Sequence, residues 1–465
     1  MGRIRATVPT HAIAAVFGVA LGLLSFKAYA VPSFARQTGL PCAVCHDVPP
    51  QLTAFGRQFK LDGYVLTTLQ QVDVGKAGKD LSINRIPPLS AMVQLSATTL
   101  TNEPASKTTG HTKAQNTNVE FPQQLSFFFA GEVTPHIGSF MQFTYDNASG
   151  HFGLDNTDFR YARQSMILGQ SVAWGIDANN NPGVEDLWND TPAWEFPWGH
   201  SNIAPAPGAM TVPMVNENLA QSVAGLGEYS MWNNAWYEDF AIYRSAPQGY
   251  GEVNPTTNYG ENSICTINNN CETGIINGVA PYWRLAWQHN FGGNYLEIGT
   301  FGMQSSFLGG FYGLGVPGLA DQYTDTAVDS QFDRHFGADL LTLYATYVHE
   351  RQDLASSFAS GATPVQYLNL NNFRFTGTYQ FGLHYQVGAS YFNTSGTSAP
   401  GWYNMNTQYA TVGSPDNAGE IVRATYLPWE NTQFTLQYTA YNKFAGTTNG
   451  ASRSNSLYLL AWFLW

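Results

Sequence analysis

The stretch SLYLLAWFLW, residues 456–465, decides the fold class of this chain. One face of an extended strand over these residues carries only apolar side chains, taken alternately back from the end: Trp465, Phe463, Ala461, Leu459 and Leu457. Such a face suits the wall of a membrane β-barrel, where lipid-facing and lumen-facing residues alternate. The alternative is a buried core strand of a soluble protein, because an exposed strand of this kind promotes aggregation.

The composition of the whole chain favours the barrel. Only 12% of the 465 residues are charged, whereas soluble globular chains average about 25%. Beyond residue 30, no segment reaches the ~20 consecutive apolar residues of a membrane helix. Few charges, 14% aromatic residues and 45 glycines therefore predict a mainly β, transmembrane antiparallel barrel. The formal net charge of −12 argues against nucleic acid as a partner and suits a pore or loops that attract cations.

Residues 86–465 form the predicted barrel domain, with the period-two alternation of barrel strands. We predict about sixteen strands, an even number as in bacterial barrels. Their ranges are 89–100, 122–133, 138–147, 155–165, 170–179, 222–231, 235–245, 280–290, 295–306, 320–333, 338–350, 367–380, 383–393, 418–428, 432–443 and 455–465. Short connections alternate with long ones, and the short turns of such barrels face the periplasm. The N-terminal segment and Trp465 are therefore expected on the periplasmic side.

Residues 1–30 are typical of a secretory signal peptide. Arg3 and Arg5 form a short basic region, and the apolar run over residues 12–24 is too short to span a membrane. Ala28-Tyr29-Ala30 is a typical cleavage site. An uncleaved anchor is the alternative. Together with the barrel pattern, this segment predicts the outer membrane of a Gram-negative bacterium.

The pentapeptide Cys42-Ala43-Val44-Cys45-His46 is the C-x-x-C-H motif of c-type haem attachment. We expect Cys42 and Cys45 to form thioethers with one haem, and the His46 imidazole to bind its iron as an axial ligand. The alternatives are a disulfide, a thioredoxin-like redox pair and half of a zinc site. A redox pair of that kind favours a βαβ context, and a zinc site needs a second Cys/His pair nearby.

Residues 31–85 form the predicted haem segment, a short α-helical plug of the barrel. Three apolar residues in it recur at helical spacing: Leu52, Phe55 and Phe59. Their face is expected to lie against the porphyrin, and Arg57 and Lys60 are candidate contacts of the haem propionates. A solvated basic face is the alternative for either residue. The segment is too short to enclose a haem by itself.

Met92 is the candidate sixth ligand of the haem iron. Between Asp47 and Ala91 the chain has neither His nor Met. Alternation along the first strand puts Leu89 and Val93 on the lipid face and Met92 on the lumen face. The alternatives are a methionine that packs on the haem edge, a sixth position without a protein ligand, and His111 in the following loop.

Cys265 and Cys271 lie in a polar run between two predicted strands. An exported protein meets an oxidising compartment, so a short loop disulfide is expected. A metal or redox role for this pair is the alternative.

The long connection over residues 180–221 carries four acids with oxygen ligands that suit a hard cation. These are Glu185, Asp186, Asp190 and Glu195. A solvated acidic loop is the alternative.

The sequence on both sides of the haem motif resembles one family. FARQTG, residues 34–39, precedes the motif, and LTAFGRQFKLDGY, residues 52–64, follows it. These stretches resemble the monohaem outer-membrane cytochrome–porin fusions, including those of iron-oxidising bacteria, whereas the remaining chain resembles the family in architecture alone. The resemblance implies a haem c in or at the barrel and electron transfer across the outer membrane. Cys42, Cys45 and His46 carry over, while Met92 rests on the alternation alone.

In the iron-oxidising members the resemblance implies extracellular Fe(II) as donor, a periplasmic c-type cytochrome as acceptor, and a ferrous iron oxidase activity. The preferred hypothesis is therefore an outer-membrane electron-transfer protein. The alternative is a small-solute diffusion porin whose haem-bearing plug acts as a redox gate. A haem sensor or adhesin anchored by the barrel is a third hypothesis. Outer-membrane lipid is an expected partner, and homo-oligomerisation stays open.

Overall fold

The computed structural model describes residues 31–46, 51–66, 72–73, 83–84, 88–101, 117–146, 150–188, 199–201, 203–204, 213–246, 274–403 and 413–465. The signal peptide predicted over residues 1–30 lies outside these residues, as do Cys265 and Cys271, so both predictions stay untested. Within the described ranges, no helix is long and apolar enough to cross a membrane.

Sixteen long β-strands form the wall of the molecule. Their bounds are β1 Leu89–Leu100, β2 Asn118–Thr134, β3 Ile137–Asp146, β4 His151–Ile167, β5 Gln170–Asn179, β6 Val223–Trp232, β7 Trp236–Ser245, β8 Ala280–Phe291, β9 Asn294–Leu308, β10 Ala320–Phe336, β11 Asp339–Asp353, β12 Tyr367–Phe381, β13 Tyr385–Gly396, β14 Asn417–Trp429, β15 Thr432–Lys443 and β16 Ser456–Leu464. Each corresponds to one predicted strand, with ends that differ by a few residues.

The sheet closes on itself. Every strand pairs antiparallel with its neighbours, and β1 pairs with β16. At this closing pair, Ala91 and Trp465 exchange two backbone hydrogen bonds with N···O distances of 2.7 and 2.9 Å. A two-residue strand, Ile275–Ile276, pairs with the end of β9. Closure satisfies the backbone groups that an open edge would leave unpaired in lipid. The chain is thus a closed antiparallel β-barrel of sixteen long strands, in agreement with the prediction of about sixteen.

The two faces of the wall differ as the alternation predicts. On β16, Leu457 and Leu459 are exposed on the outside, whereas Tyr458 and Leu460 are buried on the lumen side. On β1, the polar residues that alternate with Leu89 and Val93 are buried. An apolar outside and a polar inside are the arrangement of a barrel wall in lipid.

The connections alternate in length from one end of the barrel to the other. Seven tight turns lie at one end, over residues 135–136, 168–169, 233–235, 292–293, 337–338, 382–384 and 430–431. The start of β1 and Trp465 lie at the same end, here called the tight-turn end. The opposite end carries the longer connections, including the one between β5 and β6.

The N-terminal segment lies inside the barrel. It contains three short helices, α1 Pro32–Thr38, α2 Cys42–Cys45 and α3 Ala54–Leu61. Backbone N–H of Ser33 donates to Ser90 Oγ on β1 (2.7 Å), and Tyr229 on β6 donates its hydroxyl proton to the Leu61 carbonyl oxygen (2.8 Å). These contacts reach lumen-facing residues on separate strands, so residues 31–66 plug the lumen where they are described.

The largest apolar cluster of the described residues lies among strands β6–β12 and the loops beside them, whereas a smaller cluster joins the plug to the wall. Phe59 and Tyr64 of the plug form one buried cluster with wall residues from β1, β2, β3 and β16: Met92, Phe128, Ala130, Phe140, Tyr458, Leu460 and Trp462. Val184 belongs to the same cluster and lies on α4 Pro182–Glu185, a short helix of the β5–β6 connection that also folds inward. The plug is therefore held from both the wall and a loop.

Candidate functional site

The haem motif forms a single helical turn. Helix α2 begins at Cys42 and ends at Cys45, and the His46 backbone N–H donates to the Cys42 carbonyl oxygen at 2.9 Å. Residues three apart on a helix share a face, so this turn puts both thiols on one side. Cys42 is buried, Cys45 is partly exposed, and the two thiols are not joined as a disulfide. This is the arrangement that attachment to one planar ring requires.

Helix α3 holds the motif in place through its first turn. Thr53 donates its backbone N–H to Cys45 O (2.9 Å) and its hydroxyl proton to Val44 O (2.6 Å). The same hydroxyl oxygen accepts the backbone N–H of Gly56 (3.0 Å) and thereby caps α3. Thr53 thus joins the two helices, and its capping role explains why α3 begins at Ala54.

The His46 ring is oriented by the chain that follows it. Its Nδ1 lies 3.3 Å from the Gln51 carbonyl oxygen. A carbonyl oxygen only accepts hydrogen bonds, so Nδ1 carries the proton in this contact and the lone pair lies on Nε2. A backbone carbonyl commonly fixes the tautomer of a metal-binding imidazole in this way. The residues present therefore fit an axial histidine of a c-type haem.

Arg57 is buried at the inner side of α3. Its NH1 donates to the Leu52 carbonyl oxygen (2.7 Å), and its guanidinium carbon lies 4.2 Å above the Tyr295 ring on β9. Its Nε has no hydrogen-bond partner among the described residues. A buried guanidinium N–H of this kind suits a carboxylate, and the propionate contact stays a prediction.

Lys60 ties the plug to the inward loop. Its ammonium group donates to the backbone carbonyl oxygens of Val184 and of Asp186, the latter at 2.9 Å. Burial, and then the neighbouring Arg160 guanidinium, lower the pKa of Lys60 to about 8. Two of its three N–H donors are committed to the loop. Its propionate contact stays a prediction.

Met92 lies on the lumen face of β1, as the alternation predicts, and is only 4% exposed. It packs in the cluster that contains Phe59 and Tyr64 of the plug. Its role as sixth iron ligand stays a prediction, because an apolar cluster is also where a methionine packs without binding anything.

The motif lies near the tight-turn end of the barrel. The Cys42 backbone N–H donates to Glu430 Oε2 at 2.9 Å, and Glu430 belongs to the tight turn between β14 and β15. One wall residue thus anchors the first turn of α2.

Of the four acids proposed as ligands of a hard cation, the structure describes Glu185 and Asp186, and their side chains have different partners. Glu185 on α4 faces Asp177 of β5 and Asp239 of β7, whereas Asp186 Oδ1 lies 3.4 Å from Arg284 Nε. Asp190 and Glu195 lie outside the described residues. Sequence analysis missed Asp177 and Asp239, since alternation gives the face of a strand residue but not its neighbours across other strands.

A chain of contacts joins α3 to these acids. Arg57 stacks on Tyr295, and the Tyr295 hydroxyl oxygen accepts the Trp188 indole N–H at 2.7 Å. The Trp188 and Tyr237 ring centroids are 5.4 Å apart, and Tyr237 donates its hydroxyl proton to Asp239 Oδ2 at 2.9 Å. The haem motif and the acidic cluster therefore belong to one packed lumenal interior.

Comparison with known proteins finds similar folds alone. No family model matches the chain, and no curated protein matches it. A loop-deletion mutant of OmpT, an outer membrane protein of Vibrio cholerae, is 10% identical with a TM-score of 0.45, over 81% of this chain and 98% of that one. Salmonella typhi OmpF in complex with daunomycin is 14% identical with a TM-score of 0.45, over 81% and 97%. The outer membrane channel DcaP of Acinetobacter baumannii is 9% identical with a TM-score of 0.44, over 81% and 96%.

Proposed function

We propose that this chain is an outer-membrane electron-transfer protein that holds one haem c on its lumenal plug. In this proposal an extracellular donor, Fe(II), gives up one electron and becomes Fe(III), and a periplasmic c-type cytochrome gains the electron. The observation that carries the proposal is the C-x-x-C-H turn inside a closed barrel, with His46 Nδ1 at 3.3 Å from the Gln51 carbonyl oxygen. The identity of the donor rests on the family resemblance.

The residues of the plug have distinct tasks in this function. Cys42 and Cys45 would hold the ring covalently, His46 Nε2 would bind its iron, and the buried Arg57 guanidinium would offer an N–H to a propionate. When bound, the haem supplies a one-electron redox centre whose potential depends on its axial ligands and on burial. Thr53 keeps the motif against α3 and thereby fixes the direction of the imidazole.

In this proposal the barrel insulates the redox centre and sets the side of the membrane on which the acceptor docks. In this proposal the plug limits the access of water to the redox centre and keeps the ferric product outside. Short turns of bacterial barrels face the periplasm, so Glu430 and the haem motif are assigned to the periplasmic side. A periplasmic acceptor then docks at the tight-turn end, close to the haem.

Stopped-flow absorbance of the purified, oxidised protein mixed with Fe(II) tests this function. We expect the reduced haem c bands to appear rapidly in the wild type. The double variant Cys42→Ser/Cys45→Ser should show no covalent haem and no such bands, which controls for iron absorbance. If the wild type carries haem that Fe(II) does not reduce, iron is not the donor. If it carries no haem in a host with working haem attachment, electron transfer through this motif is excluded.

A second candidate function is small-solute diffusion, with the plug as a gate. The closed sixteen-stranded barrel with a polar inner face favours it, since this architecture is shared with general porins. Planar-bilayer recordings of the full chain separate the two functions. A steady, large conductance would support the diffusion porin, whereas a barrel that stays closed would support the electron-transfer protein.

A further inference from the structure

Three buried carboxylates meet inside the barrel, away from the haem motif. Asp177, Glu185 and Asp239, here called the carboxylate triad, each offer an oxygen, and these oxygens all lie within 4.8 Å of one another. All three residues are at most 1% exposed. Like charges this close in a water-poor interior repel strongly. The arrangement therefore requires a compensating cation or shared protons.

The buried cations near the triad are paired with other acids. Arg160 Nε lies 2.7 Å from Asp158 Oδ2, and Arg284 NH2 lies 2.6 Å from Asp329 Oδ2 and 3.2 Å from Glu297 Oε1. Among the described residues, no salt bridge joins Arg160 or Arg284 to a side chain of the triad. Arg160 does donate to the backbone carbonyl oxygen of Glu185, at 3.0 Å. No cation of the described interior is thus ion-paired directly with a triad side chain, although the Arg160 charge acts on Asp177 and Asp239 from a greater distance.

One oxygen of each triad residue is also without a hydrogen-bond donor. Asn179 donates to Asp177 Oδ2 (2.6 Å) and Glu185 Oε2 (2.9 Å), and Tyr237 donates to Asp239 Oδ2 (2.9 Å). The second oxygens, Oδ1 of the two aspartates and Oε1 of the glutamate, have no partner among the described residues. Buried polar atoms are nearly always satisfied, so these three oxygens require a shared proton, a water or a bound ion.

A fourth buried oxygen lies in the same row of the wall as Asp177. Tyr282 on β8 is 1% exposed, and its hydroxyl makes no hydrogen bond within the described part of the chain. Its strand register leads through Ala241 and Gly227 to Asp177. The charged groups that act on it are Asp186 and Glu185 first, and then Arg284 and Asp239. An unpartnered buried hydroxyl beside three under-satisfied carboxylates is an observation independent of the acidic cluster itself.

A glycine in the wall makes room for one carboxylate of the triad. Gly227 on β6 lies between Asp177 on β5 and Ala241 on β7 in the strand register. A Cβ on Gly227 would stand 2.5 Å from Asp177 Oδ1. The missing side chain therefore lets the Asp177 carboxylate lean across β6 towards β7. A glycine inside a strand commonly marks such a close approach.

We propose that the carboxylate triad is a binding site for one hard divalent cation, with Tyr282 as a neutral oxygen at its edge. Carboxylate and hydroxyl oxygens suit Ca²⁺, Mg²⁺ and Mn²⁺. Oxygens bound to one ion at about 2.4 Å can be no more than about 4.8 Å apart, and the triad oxygens lie within that limit. A bound cation neutralises the repulsion and pins α4 to the wall.

Manganese binding to the full-length protein, purified in detergent and stripped of metal with EDTA, tests this site. The electron paramagnetic resonance signal of free Mn²⁺ falls when the ion binds, which gives stoichiometry and affinity. We expect one Mn²⁺ per chain with an affinity that Glu185→Gln lowers by at least about tenfold. Gly227→Ala keeps every charge but displaces Asp177, and we expect a similar loss.

Glu350→Gln is the matched control, because Glu350 is a buried lumen-facing carboxylate outside the triad and accepts the Met214 backbone N–H at 2.6 Å. Equal Mn²⁺ binding by the wild type, Glu185→Gln and Gly227→Ala would overturn the proposal, as would a wild type that binds no ion. If neither variant folds, the thermal unfolding midpoint of the wild type, measured with and without Mn²⁺, tests the site. A rise on adding Mn²⁺ supports the site, and an unchanged midpoint refutes it. The haem plays no part in this test.

Discussion

The backbone carbonyl oxygen of Cys45 lies against Gly56, so close that a Cβ on Gly56 would stand 2.2 Å from it. Glycine is therefore required where α3 crosses the haem motif, although alanine has the higher helix propensity. The contact links the start of α3 directly to the second haem cysteine.

Gly56→Ala should push the haem motif away from α3. Overpacking of this kind costs about 1–3 kcal/mol, and we expect covalent haem per protein to fall. The pyridine haemochrome spectrum of the purified protein measures the amount of covalent haem per protein. The control is Gly153→Ala on β4, where a Cβ meets nothing within 4 Å. Normal haem content in Gly56→Ala would show that the motif can shift without loss.

Met92→Leu should lower the reduction potential of the haem if Met92 is the sixth ligand. Leucine keeps about the same volume but lacks the sulfur, and methionine ligation raises the potential of a c-type haem. Spectroelectrochemical titration measures the change. Met231→Leu is the matched control, since Met231 is a buried lumen-facing methionine in a different cluster. Equal reduction potentials for the wild type, Met92→Leu and Met231→Leu would show that Met92 packs in the lumen without binding the iron.

Cys45 should react slowly with iodoacetamide in folded protein made without haem attachment. Burial raises the pKa of the Cys45 thiol to about 11, and only the thiolate is nucleophilic. The rate of alkylation is therefore low at pH 8 and rises about tenfold per pH unit until the pH approaches that pKa. The Cys42→Ser variant isolates this thiol, and mass spectrometry counts the adduct. A rate that levels off near pH 9, as in heat-denatured protein, would contradict the burial.

Arg284→Gln should strongly destabilise the barrel. Arg284 binds Glu297 and Asp329 in a fully buried network, and removal of one partner of a buried ion pair costs about 3–5 kcal/mol. Heat-modified migration in gel electrophoresis gives the unfolding midpoint. The control is Arg244→Gln, at an exposed position near the end of β7. If both variants unfold at the wild-type midpoint, the network contributes little.

Deletion of residues 31–66 should open the pore. The segment fills the lumen through contacts such as Tyr64 hydroxyl to Asp158 Oδ2 (2.5 Å), so its loss leaves a polar channel. We expect single-channel conductance to rise well above that of the full chain. Only heat-modifiable, folded protein is recorded, which separates an opened barrel from a misfolded one. A conductance equal to that of the full chain would mean that loops alone close the pore.

The local sequence pattern was enough to predict the two faces of the barrel wall and to locate the C-x-x-C-H motif. Strand alternation has a period of two, and every strand of a barrel obeys it, so Leu457 and Tyr458 reveal their faces without any partner. The spacing of Cys42, Cys45 and His46 is equally local, because one helical turn contains it. For the same reason, Met92 was placed on the lumen face correctly.

Only the tertiary structure decided which lumenal groups meet. Lys60 donates to carbonyl oxygens of the β5–β6 loop, and Glu185 lies apart from Asp186 in a triad with Asp177 and Asp239. These partners come from two strands and a loop. Their meeting depends on strand stagger and on how a loop folds inward. Local periodicity contains neither quantity, since it gives the direction of a side chain but not its depth in the barrel.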